Sequence, residues 1–204
     1  MPSSGNEPAR QKVPIVPSNK DRLYVALYAR GGKARMPGKE DTYHWAVHTG
    51  PKSPTEQRLG VRYHTKERLT VEGKSEFIFE ESEVSPQMVL VRIAIAKILD
   101  QDRAVEILRS TAIRQNATEW NCVSWVQEAL GVLNVDSRAL GTRTLDWVRV
   151  RDAAMEYCQR KKDQHRLDGK GDCDMGAVPT YDLMVGRELA VQVSECHWAS
   201  MFGS

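Results

Sequence analysis

No stretch of this 204-residue chain is apolar over the about 18 to 20 residues that a membrane-crossing helix requires. The longest apolar run, Met88 to Leu99, is broken by Arg92 and Lys97. The opening residues, MPSSGNEPARQKVPIVPSNKD, hold no apolar core of signal-peptide length and are interrupted by Pro2, Pro8, Pro14 and Pro17. Neither secretion nor a stable membrane anchor is expected, and a cytoplasmic location is. An excess of one charge is lacking too: 29 Lys and Arg stand against 27 Asp and Glu, a net of +2. Nucleic acid and anionic membrane select concentrated positive charge, so neither is expected as the main partner.

Cysteine is scarce and unpatterned. Cys122, Cys158, Cys173 and Cys196 are the four, with no CxxC pair among them. Without a secretory signal, free thiols are the expectation rather than disulfides. His165, Cys173, Cys196 and His197 gather toward the C-terminus, but their spacing matches no structural zinc pattern. No metal and no cofactor is expected. Repeats and low-complexity tracts are absent.

What is present is ordinary globular material. Hydrophobic residues make up 41% and charged residues 27%, enough apolar surface for one buried core. Residues 1–20 read as a flexible tail and 21–204 as a single domain. Leu23 to Gly31 and Thr42 to Gly50 are rich in strand formers and end at glycine turns. Leu59 to Glu67, LTVEG and EFIFEE read as further short strands with alternating faces. The run MVLVRIAIAKIL is ambiguous, and its Val and Ile content favours a strand reaching the turn at Asp100. DRAVEILRST is a short helix.

The clearest helix is EWNCVSWVQEALGVL. Cys122, Trp125, Val126, Ala129, Leu130 and Leu133 recur at helical spacing as one apolar stripe. Asn116, Thr118 and Asn121 all qualify as its cap. A longer helix is expected from about Thr144 to Arg166, with Leu145, Val148, Ala153, Met155 and Cys158 as buried candidates. The final segment from Tyr181 adds a helix or a strand. Strands first and helices after predict an α+β fold, an antiparallel sheet packed against helices.

Two places carry chemistry. In the strand Thr42 to Gly50, alternation sets His44, Ala46 and His48 on one face and Tyr43, Trp45 and Val47 on the other. The two imidazoles lie about 13 Å apart at about 3.3 Å per residue, so one at most can meet a given thiol. Cys122 opens its helix, where free N–H groups and the dipole favour a thiolate, which predicts a pKa below the free value of about 8.5. A buried cysteine on an apolar stripe is equally what a core residue looks like. Trp45, Asn121 and Trp125 flank this chemistry and are the candidate substrate contacts. Packing and capping are the simpler roles for them. The acidic run Glu80, Glu81 and Glu83 reads as a surface turn, and Arg160-Lys161-Lys162 as a solvated helix end.

YHWAVHTG resembles the HWAVYxG strand of the lecithin:retinol acyltransferase-like family and its relatives, the H-Ras-like suppressor phospholipase/acyltransferases. NCVSWVQEAL resembles that family's NCEHFV-type helix, and Tyr63-His64 in GVRYHTKE its second histidine. The order His, His, Cys is similar to a circularly permuted papain-like (NlpC-type) core, which permuted papain-fold isopeptidases share. The resemblance implies Cys122 as nucleophile, His44 as general base and acid, and His64 as the residue that orients His44. It implies a cysteine-dependent hydrolase or acyltransferase working through a thioester on a small-molecule, acyl or peptide substrate. A peptidase or isopeptidase and a non-catalytic binding protein with the same fold are the alternatives.

Overall fold

The computed structural model describes residues 21–52, 60–168 and 178–189. The tail 1–20 and the C-terminal Cys173, Cys196 and His197 lie outside them. Five long strands form first: β1 (Asp21–Ala29), β2 (Tyr43–Pro51), β3 (Val61–Leu69), β4 (Ser75–Glu83) and β5 (Val89–Ile98). They are followed by α1 (Gln101–Ser110), α2 (Cys122–Val135), β6 (Leu140–Arg143), α3 (Trp147–Asp163), β7 (Thr180–Asp182) and β8 (Arg187–Leu189). The fold is α+β, with one sheet of eight strands and three helices among the described residues. Its order is β4-β3-β2-β1-β5-β7-β8, with β6 also on β5.

The ambiguous run MVLVRIAIAKIL is strand β5, as its β-branched content favours. Four readings need correction. The sheet is mixed, because β7 runs parallel to β5 while the other pairs are antiparallel. LTVEG is no strand beyond Leu69: Thr70 to Gly73 turn the β3–β4 hairpin, with Gly73 at φ 75°, a conformation that suits glycine. The last long helix starts at Trp147, where the Asp146 side chain caps the Arg149 N–H, and this phase leaves Val148 exposed. The buried stripe is instead Val150, Ala154, Tyr157, Cys158 and Lys161. Lys161 is thus no solvated helix end; it pairs with Glu188 at 2.6 Å.

Alternation divides the sheet into two unlike faces. Leu23, Val25, Leu27, Trp45, Val47, Val91, Ile93 and Ile95 form the apolar core with all three helices. Tyr28 and Ala46 lie on the opposite face with Ala26, Val84 and Val89, and alternation puts His44 and His48 there too. That face is polar yet closed: His48 is 1% and Arg92 3% exposed. Among the described residues no helix is long and apolar enough to cross a membrane.

One irregularity makes room for chemistry. β3 pairs with β4 along its whole length, but with β2 only where Val61, Arg62 and Tyr63 face Thr49, His48 and Val47. From His64 onward β3 leaves β2, and the first half of β2 keeps a ladder on its β1 side alone. Helix α2 packs on both strands, and the sulfur of its first residue, Cys122, faces the Trp45 backbone at this notch.

Candidate active site

Asn121, rather than Asn116 or Thr118, caps α2. Its backbone is extended (φ −158°, ψ −168°) and its Oδ1 accepts the Val123 N–H at 2.8 Å. Cys122 is therefore the first helical residue. The Trp45 backbone N–H, in the peptide that follows His44, faces the Cys122 sulfur, so the thiol lies against the β2 backbone at the notch. Burial pushes the Cys122 thiol up; the N–H groups of Trp45, Val123 and Cys122 and the charge of Arg30 oppose this without reversing it. The depressed pKa expected at a helix start is not what results. At 5% exposure the thiol has lost more by leaving water than the helix start returns.

The two strand histidines meet across the notch. His44 Nε2 lies 2.8 Å from His64 Nδ1, with the rings edge to face. His64 Nε2 lies 3.3 Å from Glu80 Oε1, its cross-strand neighbour in the β3·β4 ladder. Glu80 also pairs with Lys66 and, at 3.6 Å, with Arg62. The Lys66 hydrogen bond and charge hold the Glu80 carboxyl below its ordinary value, despite some burial. Burial, then the charge of Arg62, lowers His64 to about 4, against the opposing pull of Glu80. Burial, then His64, Arg62 and Arg30, lowers His44 to about 3.

These states fix the protons. An ionised carboxylate only accepts, so His64 must carry its proton on Nε2. Being neutral, it then offers Nδ1 as an acceptor, and His44 must donate from Nε2. His44 in turn is left with a bare Nδ1, the form that a general base needs.

Of the six residues singled out from the sequence, the structure joins His44 to His64 and sets Cys122 against the Trp45 peptide, one residue further along β2, with no hydrogen bond between the thiol and either imidazole among the described residues. Trp45 and Trp125 are 0% exposed and belong to the core, so they line no open surface. The Trp45 indole donates to the Glu40 carbonyl at 2.8 Å, and Trp125 packs on Phe79. Asn121 is occupied by capping, with its Nδ2 toward the Met36 sulfur at 3.6 Å. His48 is held elsewhere, its Nε2 2.7 Å from the Tyr28 hydroxyl.

Glu80 was missed because its run reads as a polar turn. The run is in fact strand, where Glu80 meets His64 and Glu81 meets Arg109. The alternation Ile78, Glu80, Ser82 was the available signal. Among the described residues no group of three His, Cys, Asp or Glu side chains could hold a metal ion. His165 instead pairs with Asp168 at 2.9 Å.

A family model described as "Family of unknown function (DUF6914)" matches residues 20–190. No curated protein and no solved structure matches the chain.

Proposed function

The chain belongs to that family of unknown function, and for it we propose a cysteine-dependent acyl-transfer activity on a permuted papain-like core, through a Cys122 thioester with His44 as general base. The observation that carries this reading is the chain of contacts Glu80–His64–His44 on a strand whose next peptide, that of Trp45, faces the Cys122 sulfur. Charge and tautomer both leave one His44 nitrogen bare, and the reading requires that nitrogen to meet the thiol when substrate is bound. The order His44, His64, Cys122 and the likeness of YHWAVHTG and NCVSWV to the lecithin:retinol acyltransferase-like enzymes support the same reading.

With the thiol raised and both imidazoles lowered, the resting pair is neutral, so the proton moves as the sulfur attacks. The sulfur forms a bond to the acyl carbon while His44 takes the thiol proton. The carbonyl electrons move onto oxygen beside the Cys122 backbone N–H. As they return, the bond to the leaving group breaks and His44 hands it the proton. Water or another nucleophile then attacks the thioester and gives a proton to His44. The carbon–sulfur bond breaks and the thiol recovers that proton. His64 and Glu80 keep His44 in one tautomer throughout.

The test is steady-state hydrolysis of an activated ester, a thioester and a peptide amide. Cys122→Ala is expected to abolish turnover with an unchanged circular dichroism spectrum, and His44→Ala to lower kcat by about 10²- to 10⁴-fold. Turnover of the amide alone would make the protein a peptidase. The burial of Cys122 favours one rival, a binding protein that keeps the fold, and that rival stands if no acyl compound is turned over by wild type.

A further inference from the structure

The segment 30–39 joins β1 to β2 and is clamped to both halves of the candidate site. It leaves the sheet just past the Ala29↔Tyr43 pair and returns through the turn Glu40–Thr42, one residue short of His44. Asp41 draws its middle inward, accepting the backbone N–H of Arg35 at 2.8 Å and of Met36 at 3.1 Å. Met36 packs against the core and its sulfur meets Asn121, the residue before Cys122. Arg30 Nη1 donates to the Asp41 carbonyl at 3.2 Å.

This held segment is one-sided in charge. Arg30, Lys33, Arg35 and Lys39 are all exposed. The carboxylates that follow them are withdrawn: Asp41 is buried on backbone N–H groups, and Glu40 is buried 3.7 Å from Arg151. None of the four cations forms an ion pair among the described residues, a state that Lys97 and Arg149 share; what sets these four apart is their grouping on one short segment. Four like charges on one short segment repel each other and attract an anion. In a chain whose net charge is only +2, this local excess at the rim of the site stands out.

We propose that segment 30–39 is an anion-recognition rim, so that the substrate which acylates Cys122 carries a carboxylate or phosphate group near its reacting carbonyl. The substrate part rests on the acyl-transfer reading; the rim does not. The contact of Met36 with Asn121 and that of Arg30 with the Asp41 carbonyl tie this segment to the edge of the site, and the Arg30 charge is felt at both Cys122 and His44.

Two measurements separate the two claims. The first compares alkylation of Cys122 by iodoacetate and iodoacetamide at low salt. The iodoacetate-to-iodoacetamide rate ratio should exceed that of glutathione by at least about threefold, within the range of electrostatic steering. It should fall in Arg30→Gln and, independently, in Lys33→Gln, and on raising ionic strength. The second follows backbone amide NMR shifts on adding inorganic phosphate or acetate against chloride at matched ionic strength, a readout that needs no thiol reactivity. Saturable shifts within 30–44 that weaken in Arg30→Gln support the rim, and the stronger of the two anions names the substrate group. Saturable binding in a protein that never acylates Cys122 would keep the rim and remove the acyl-transfer reading. A ratio equal to that of glutathione, with unsaturable shifts scattered over the surface, would overturn the rim whatever the thiol does.

Discussion

In the proposed mechanism Glu80 acts through His64 on His44, and its identity decides where the proton on His44 sits. An amide in place of the carboxylate can donate to His64 Nε2. That moves the His64 proton to Nδ1, turns His44 around in tautomer, and puts a proton on the nitrogen meant to receive one. Glu80→Gln should therefore lower kcat by about 10²- to 10⁴-fold, with KM changed much less, in a steady-state comparison of the two proteins. A mere surface salt bridge would leave kcat within a few-fold. The raised thiol makes a second claim at this scale. Alkylation of Cys122 by iodoacetamide at pH 7 should be slower than that of a free cysteine, and should rise with a midpoint above about 8.5. Fast labelling at pH 6 would instead reveal a preformed thiolate–imidazolium pair.

The notch between β2 and β3 is where the elements create the site. It forms because β3 keeps β2 for three residues and β4 for nine, leaving the Trp45 N–H free to face the start of α2. The strand alternation that placed His44 and His48 on one face was legible, as was the stripe that made Cys122 the head of a helix. Alternation alone did not say which of the two would serve; the resemblance pointed to His44, and the point where β3 departs is what lets His44 rather than His48 meet His64. That point is set by the β3–β4 register, and the same register pairs Glu80 with His64. Short strands such as β6, β7 and β8 carry too few residues to show a period, so the parallel β5·β7 pair could not be read either. The fully buried indoles yield a prediction that separates packing from substrate contact. Trp125→Ala should cost about 3 to 5 kcal/mol in denaturant unfolding. A Trp125→Phe protein that stays folded should keep its KM.

At the scale of the molecule, the sheet separates an apolar face under three helices from a polar face of histidines, tyrosines and arginines that is mostly buried, with His44 and Arg62 half-buried at its edge. Burying imidazoles has a price in acid. The pKa values of His44, His48 and His64 are all lowered. Below about 6.5 the unfolded chain takes up protons that the native one refuses, so their contribution to stability is present above that pH. It is lost as pH falls toward about 4 for His64 and about 3 for His44. Urea midpoints should drop steadily from pH 6.5 to 4, and less steeply in His48→Phe, by up to about 1.4 kcal/mol per pH unit. A flat profile would show that the imidazoles are open to water. The central claim remains that Cys122 is a nucleophile primed by His44. The direct measurement is a single-turnover reaction with p-nitrophenyl acetate, following nitrophenolate release and locating the acetyl group by peptide mass spectrometry. The account predicts a burst matched by acetylation of Cys122 in wild type, slowed by about 10²-fold or more in a folded His44→Ala protein. Equal acetylation in both, or none on Cys122, would contradict it.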